Sequence, residues 1–440
     1  MKYYSTEGRS PAVSLREAVL TGLAPDRGLY MPERIPRLPE AFFREMPAMS
    51  FTEVAARVAE AFFGEDVPAE DLHRIVSDTL SFDCPAVPVT DRIASLELFH
   101  GPTLAFKDVG ARFMARLLAW SLGGTLSGGK TVDVLVATSG DTGSAVANGF
   151  LGVEGCRVFV LYPKGRVTPV QECQFTTLGQ NITALEIDGS FDDCQALVKA
   201  AFLDADLRGR MCLTSANSIN VARFLPQAFY YFWGYAQMAR RGMADRLVVC
   251  VPSGNFGNLC AALFAARTGL PVHRFIAANN RNDVFLEYLR TGIYTPRQSV
   301  TTLANAMDVG APSNFARILD LYGGDWERIR ADISGFRTDD PEILSTIRDC
   351  LSAHGYLLDP HGACAFRALS AGLQEGETGL FCETAHPAKF PDTVARALGR
   401  ADAVPVPERL QAFMAGRKQS VPLPAQFDAF KAYLLSRAGA

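Results

Sequence analysis

Lys107 stands in the stretch His100-Gly-Pro-Thr-Leu-Ala-Phe-Lys-Asp-Val-Gly110. Ahead of it, Ser95–Phe99 reads as a short strand. Behind it, Val109, Phe113, Met114, Leu117 and Leu118 recur at helical spacing. The lysine therefore sits where a loop turns into a helix. A helix N-terminus carries partial positive charge, and a positive field favours the neutral amine. A neutral lysine can form a Schiff base with a carbonyl. A lysine at a helix start is also an ordinary surface residue, so this reading needs support from elsewhere in the chain.

Two turns supply it. Pro252-Ser-Gly-Asn-Phe-Gly-Asn258 follows the apolar run Arg246–Val251 and precedes the helical run Leu259–Thr268. Strand, Gly-rich turn and helix together offer backbone N–H groups to a phosphate. Gly254 and Gly257 allow close approach, and Asn255 and Asn258 can add amides. The turn has no lysine and does not match G-x-G-x-x-G, which favours a phosphomonoester over a nucleotide triphosphate. The second turn is Thr138-Ser-Gly-Asp-Thr-Gly-Ser144, after the run Thr131–Ala137. Its hydroxyls and N–H groups suit a carboxylate or a ring oxygen, although Ser, Asp and Thr are also the ordinary helix caps.

Two further stretches carry polar groups. In Thr214-Ser-Ala-Asn-Ser-Ile-Asn-Val-Ala-Arg223, Arg223 opens a helix beside Asn217 and Asn220. A guanidinium fork suits a dianionic phosphate. In Phe381-Cys-Glu-Thr-Ala-His-Pro-Ala-Lys-Phe390, Glu383 and Thr384 are neighbours on a strand and so face opposite ways. Lys389 reads as a structural or surface residue. Gly124-Thr-Leu-Ser-Gly-Gly-Lys-Thr131 matches the nucleotide phosphate-loop pattern letter for letter. That pattern works only between a strand and a following helix. Here the order is reversed, so the stretch reads as a helix stop and a connection.

The elements that must hold these residues alternate. Apolar runs at Thr131–Ala137, Arg157–Tyr162, Ile182–Ile187, Arg246–Val251, Val272–Ala278 and Gly379–Glu383 are separated by helical patterns at Thr142–Phe150, Cys194–Ala205, Val221–Ala239 and Leu259–Thr268. Strands alternating with helices imply parallel sheet covered on both faces, and uninterrupted apolar runs agree. Residues 1–85 read as helical and proline-punctuated, with Ser14 capping a helix from Leu15 and further helices at Phe51–Phe63 and Ala69–Leu80. The expected organisation is a helical N-terminal domain (1–85), a large α/β domain (86–133 and 231–400), a small α/β domain (134–230) and a tail (401–440) ending in a helix from Gln426. Gly323–Pro341 reads as surface.

The chain has 440 residues, 48% of them hydrophobic and 20% charged, with a formal net charge of -4. That balance suggests no nucleic-acid partner. The N-terminus lacks the apolar core of a signal peptide. The greasiest stretch, Phe224–Met238, is too short and too polar to span a membrane. Ten cysteines without a C-x-x-C pair, mostly in apolar runs, imply a reducing cytoplasm. The six histidines are not spaced with them as metal ligands would be, so no metal is expected.

Taken together, these motifs resemble the fold-type-II pyridoxal-phosphate enzymes and, more narrowly, the threonine synthase family of the longer bacterial and fungal kind. The resemblance rests on Tyr4–Gly8, Gly28–Pro32, Gly101–Gly110, Ala137–Ala145, Ser218–Arg223, Val251–Leu259, Ala306–Phe315 and Glu383–Phe390, in order along the chain. It implies two open, mostly parallel sheets covered by helices. It implies that Lys107 holds pyridoxal 5'-phosphate as an imine and shuttles protons. Gly254, Asn255, Phe256, Gly257 and Asn258 would hold the cofactor phosphate, and Thr384 would face the pyridine nitrogen. Thr138, Ser139, Thr142 and Gly143 would hold the substrate carboxylate, with Asn217 and Arg223 on the substrate phosphate. Asp141 stands where other branches carry an asparagine toward the ring hydroxyl. The implied reaction converts O-phospho-L-homoserine and water to L-threonine and phosphate. The residues leave open another lyase of the serine/threonine dehydratase kind, or a catalytically silent cofactor-binding homologue.

Overall fold

The computed structural model describes residues 1–123, 131–400 and 404–438. The phosphate-loop look-alike at Gly124–Lys130 lies outside the described residues. The chain forms two compact units. One comprises Met1, Met31–Phe106 and Phe224–Pro405; the other comprises Lys2–Tyr30, Lys107–Arg223 and Val406–Ala440.

The first unit is built on a six-stranded sheet. Its spatial order is Ile333–Arg337, Arg274–Asn279, Leu247–Pro252, Thr378–Glu383, Ile93–Glu97 and Ala86–Pro88. All pairs are parallel except the last. Neighbouring residues on a strand face opposite sides, and both sides are covered. Phe381 packs edge-on against Phe366 of the helix Pro360–Gly372, with ring centroids 5.7 Å apart. Cys382 instead meets the Tyr231 hydroxyl on the helix Ala228–Arg240 at 3.8 Å. Burial pushes the thiols up, Cys382 and Cys260 to about 12, so they pack rather than react.

The second unit holds a five-stranded, wholly parallel sheet. Its order is Val421–Pro424, Ile182–Asp188, Cys156–Pro163, Val132–Ala137 and Cys212–Ser215. The helices Lys107–Leu122 and Asp141–Phe150 pack closely: a Cβ at Gly149 would lie 3.0 Å from the backbone carbon of Ala111. Ser14 caps the helix Leu15–Thr21 by accepting from Glu17 N. Asn220 and Thr214 both donate to Val19 O, at 2.9 and 3.2 Å, and so tie that helix to the sheet.

This division differs from the borders expected from sequence. The helix Phe51–Phe63 buries rings against later parts of the chain. Phe51 stacks on Trp233 at 5.5 Å and Phe62 leans on Phe264 at 6.3 Å, so Phe51–Phe63 is a further layer on the first unit. The hairpin Lys2–Ser5 with Val13–Ser14 and the helix after it belong to the second unit. Several strands went unseen, among them Lys2–Ser5, Val13–Ser14, Tyr30–Pro32, Ala86–Pro88 and Cys212–Ser215, and two more are not apolar enough to read as strands. Ile333–Arg337 lies inside the charged stretch read as surface, and its Gly335 lets Leu286 of the helix Val284–Thr291 approach. Val421–Pro424 carries two prolines and is an edge strand, where a missing N–H is tolerated. The apolar run from Val221 is also not one helix: it breaks at Leu225–Gln227, around Pro226.

Glu377, just before the strand Thr378–Glu383, accepts two hydrogen bonds from Arg274, at 2.9 and 2.6 Å. These bonds hold its carboxyl at about 2. The folded value lies below the unfolded one, so the stabilisation is complete above about pH 4.3 and is lost as pH falls toward 2. Glu377→Gln is expected to cost about 1.5–3 kcal/mol at pH 7. Urea unfolding should show that difference closing between pH 4 and 2; a difference independent of pH would remove the ion pair from the account.

Candidate active site

In the first unit the turn after Leu247–Pro252 leads into the helix Gly257–Arg267. No hydrogen bond among the described residues takes the N–H of Gly254, Phe256, Gly257 or Asn258. Phe256 is left-handed at φ 61°, a conformation that costs about 1–3 kcal/mol outside glycine. It is held there by its ring, which packs on Phe285 at 4.8 Å. Gly254 lies flat against a neighbouring strap: a Cβ there would be 2.8 Å from both Ala306 O and Met307 Cα.

The asparagine amides brace this turn rather than extend it. Asn258 donates to Pro252 O at 2.9 Å and accepts from Leu259 N. Asn255 accepts from Ser313 N at 2.6 Å, and its carbonyl accepts from Asn314 Nδ2 at 3.0 Å. Asn314 in turn accepts from Arg317 at 2.6 Å. Arg317 is fully buried over the Phe224 ring at 4.1 Å. Burial lowers its guanidinium to about 9, which leaves it charged at neutral pH. Four open N–H groups at a helix start, with no lysine in the turn, fit a phosphomonoester.

Thr384 follows the strand Thr378–Glu383 in the same unit. No hydrogen bond among the described residues engages its hydroxyl. Its carbonyl accepts from Phe106 N at 2.9 Å, and His386 N donates to Leu104 O at 3.1 Å. These bonds flank the antiparallel bridge Ala105–Ala385. Lys389 is buried and donates to Thr103 O at 2.9 Å, so it is structural. The segment that ends one residue before Lys107 is thus bonded to the segment that carries Thr384. Glu383 is fully buried. Burial first, and the charge of Asp359 second, push its carboxyl well above the usual range, so it is neutral.

In the second unit Lys107 is the first residue of its helix and is half-buried. Arg223 lies 2% exposed, with Nη1 3.4 Å from Lys107 O. Burial lowers Arg223 to about 10, against the pull of the Asp108 carboxylate, so it remains a cation. The 138–144 turn lies in the same unit. Thr138 Oγ1 accepts from Gly140 N and Gly143 N, at 2.9 and 2.8 Å. A Cβ at Gly143 would lie 2.5 Å from Thr138 Cγ2. Thr138 and Gly143, expected to meet a carboxylate, are therefore engaged with each other. Ser139 and Thr142 remain half-buried, and no hydrogen bond among the described residues occupies either hydroxyl. Asn217 donates to Ala137 O at 3.2 Å, which brings it to this turn, whereas Asn220 is engaged with Val19 O and Ser215 O. Gln171 donates to Asp141 at 2.8 Å and orients it.

Sequence reasoning missed Gln171 and Arg317, which act through other residues. Asn314 lies within the stretch Ala306–Phe315 that carried the resemblance, and that was its only signal.

Three family models match the chain: "Pyridoxal-phosphate dependent enzyme" over residues 92–382, "Threonine synthase N terminus" over 2–80 and "Threonine synthase, C-terminal" over 362–434. The chain is 44% identical to the threonine synthase of Serratia marcescens over 410 residues, 93% of each chain. Its fold is similar to the crystal structure of threonine synthase from Escherichia coli, with TM-score 0.93, 42% identity and coverage of 99% and 100%. It is also similar to the PLP-bound threonine synthase from Brucella melitensis, with TM-score 0.91, 36% identity and full coverage of both chains.

Thr138→Val should strand two buried N–H groups and cost about 2 kcal/mol or more. Ser139→Ala should stay within about 0.5 kcal/mol of the native chain. Thermal unfolding of both variants checks the assignment; equal losses would mean that Thr138 does not organise the turn.

Proposed function

We infer that this chain, which belongs to the threonine synthase family of pyridoxal-phosphate-dependent enzymes, converts O-phospho-L-homoserine and water to L-threonine and inorganic phosphate. The observation that carries the reading is the turn Gly254–Asn258, a lysine-free cradle of open N–H groups at a strand end, in a chain matched by threonine synthases along 93% of its length. The enzyme is a lyase, and its cofactor is pyridoxal phosphate.

When bound, pyridoxal phosphate supplies an electron sink for the pair left at Cα on deprotonation. The rest falls to side chains and main chain. The N–H groups of 254–258 hold the cofactor phosphate. Thr384 offers a hydroxyl to the ring nitrogen, and neutral Glu383 behind it adds no charge that would favour a protonated ring. Lys107 would anchor the cofactor aldehyde, and its amine would take and return the Cα proton. Ser139 and Thr142 receive the substrate carboxylate. Asn217 and Arg223 receive the substrate phosphate and stabilise it as its charge grows on leaving. In the net reaction the C–O bond at Cγ breaks and phosphate leaves, one proton is lost from Cβ and one arrives at Cγ, hydroxide from water adds at Cβ, and the water's remaining proton goes to the phosphate.

A dehydratase-like lyase would need no group for a substrate phosphate, and the buried, charged Arg223 favours the phosphate ester. Ten unpaired cysteines, eight of them buried, support a reducing compartment, and we place the reaction in the cytoplasm. Among the described residues no helix is long and apolar enough to cross a membrane.

Lys107→Ala should abolish the visible absorption band of the bound cofactor and cut phosphate release by about 10²–10⁴-fold. A band unchanged in the purified variant would remove Lys107 from its role. Arg223→Gln should raise KM for O-phospho-L-homoserine by about 10–100-fold while the band persists; an unaltered KM would take Arg223 out of the substrate site.

A further inference from the structure

We propose that His361 is a positioning residue for the cofactor phosphate, because its imidazole holds the strap at Ala306–Met307 under Gly254. The inference rests on the reading of Gly254–Asn258 as the phosphate cradle, and all its parts lie in the first unit.

His361 is 2% exposed, at the second position of the helix Pro360–Gly372. Its Nε2 accepts the N–H of Ala306 at 3.2 Å. A backbone N–H can only donate, so Nε2 must offer its lone pair. The ring proton is therefore on Nδ1, which donates to Asp359 Oδ2 at 2.9 Å. The ring is neutral and in one tautomer. Phe390 packs edge-on against it at 5.0 Å and keeps it dry.

Asp359 is itself held from three sides. Its carboxylate caps the helix by accepting from Gly362 N and also accepts from His361, while its own N–H donates to Glu383 Oε1. The second oxygen of Glu383 presses on Gly362, where a Cβ would lie 1.6 Å from it. A relay of buried contacts thus runs from Glu383, the neighbour of Thr384, through Asp359 and His361 to Ala306, and from Ala306 to Gly254. It joins the residue assigned to the ring nitrogen with the turn assigned to the phosphate.

The strap has other ties, but they lie at its flanks. Asn280 donates to Ala304 O at 3.2 Å and to Asp308 Oδ1 at 2.8 Å. At Ala306 itself, whose carbonyl oxygen meets Gly254, the N–H is held by His361. Losing that bond leaves a partly buried donor unpaired beneath the cradle. The strap would then be free to shift beneath Gly254, against which it lies so closely that an added Cβ would meet Ala306 O at 2.8 Å.

Two replacements separate this role from mere packing. In His361→Gln the side-chain oxygen reaches the position of Nε2 and accepts from Ala306. In His361→Asn the amide reaches only the position of Nδ1. The full-length chain is titrated with pyridoxal phosphate, and the visible band and the ³¹P shift of the bound phosphate are recorded. His361→Gln should bind within about threefold of native with an unshifted ³¹P line. His361→Asn should bind about tenfold more weakly, with a displaced line. Equal affinity and equal ³¹P shift in the two variants would overturn the proposal. Should His361→Asn fail to fold, His361→Met, of similar length and without a strong acceptor, replaces it in the same comparison. Gly254→Ala separates the two readings: native binding there defeats the cradle itself, whereas weakened binding there beside native binding in His361→Asn defeats only the role of His361.

Discussion

Open N–H groups at the start of the helix Gly257–Arg267 constrain much of the first unit. A folded chain leaves almost no buried main-chain donor unpaired, and a helix start has such donors by construction. They are tolerated where an anion completes them. Keeping them open needs a turn that cannot collapse onto its own acceptors. Phe256 in the left-handed region, Gly254 flat on Ala306, and the amides of Asn255, Asn258 and Asn314 together prevent that collapse. The residues with the most chemical side chains in this turn are therefore its scaffold, and the plain main chain is the part left open.

The 138–144 turn of the second unit follows the same strand–turn–helix pattern with a different outcome. Thr138 folds its hydroxyl back and takes two of the turn's N–H groups, including that of Gly143. Among the described residues no hydrogen bond occupies the hydroxyl or the N–H of Ser139 or Thr142. The two turns thus differ in how many main-chain donors each one consumes internally.

Charge is also sorted by burial. Arg223 and Arg317 are both buried and both lowered, to about 10 and about 9, yet neither reaches neutrality near pH 7. Glu383 is buried with no cation to hold its proton off, so it stays neutral. The arginines keep their positive charge, and the carboxyl nearest Thr384 contributes none. A related contrast explains why side-chain type alone is a poor guide: Glu377 precedes the strand Thr378–Glu383 and Glu383 ends it, both are buried, and among the described residues only Glu377 bonds to an arginine.

Much was already written in the order of residues. A lysine opening a helix, two polar turns after apolar runs, and a phosphate-loop pattern in the wrong strand–helix order are local facts, because turns and helix starts are built from neighbours in the chain. Sequence alone therefore determined the class of fold, singled out the turn that leads into the helix Gly257–Arg267 and set Lys107 at a helix start. It did not determine which groups in those turns are free, since that depends on partners far away in sequence: Ser313 and Asn314 for Asn255, Gln171 for Asp141. Nor did it reveal the strands Ile333–Arg337 and Val421–Pro424, whose sheet edges tolerate glycine and proline, or the packing of the helix Phe51–Phe63, which sets Phe51 against Trp233 and Phe62 against Phe264, far along the chain. Tertiary structure decided these because hydrogen-bond satisfaction and burial are settled by whichever groups folding brings together, not by those that are adjacent in the chain.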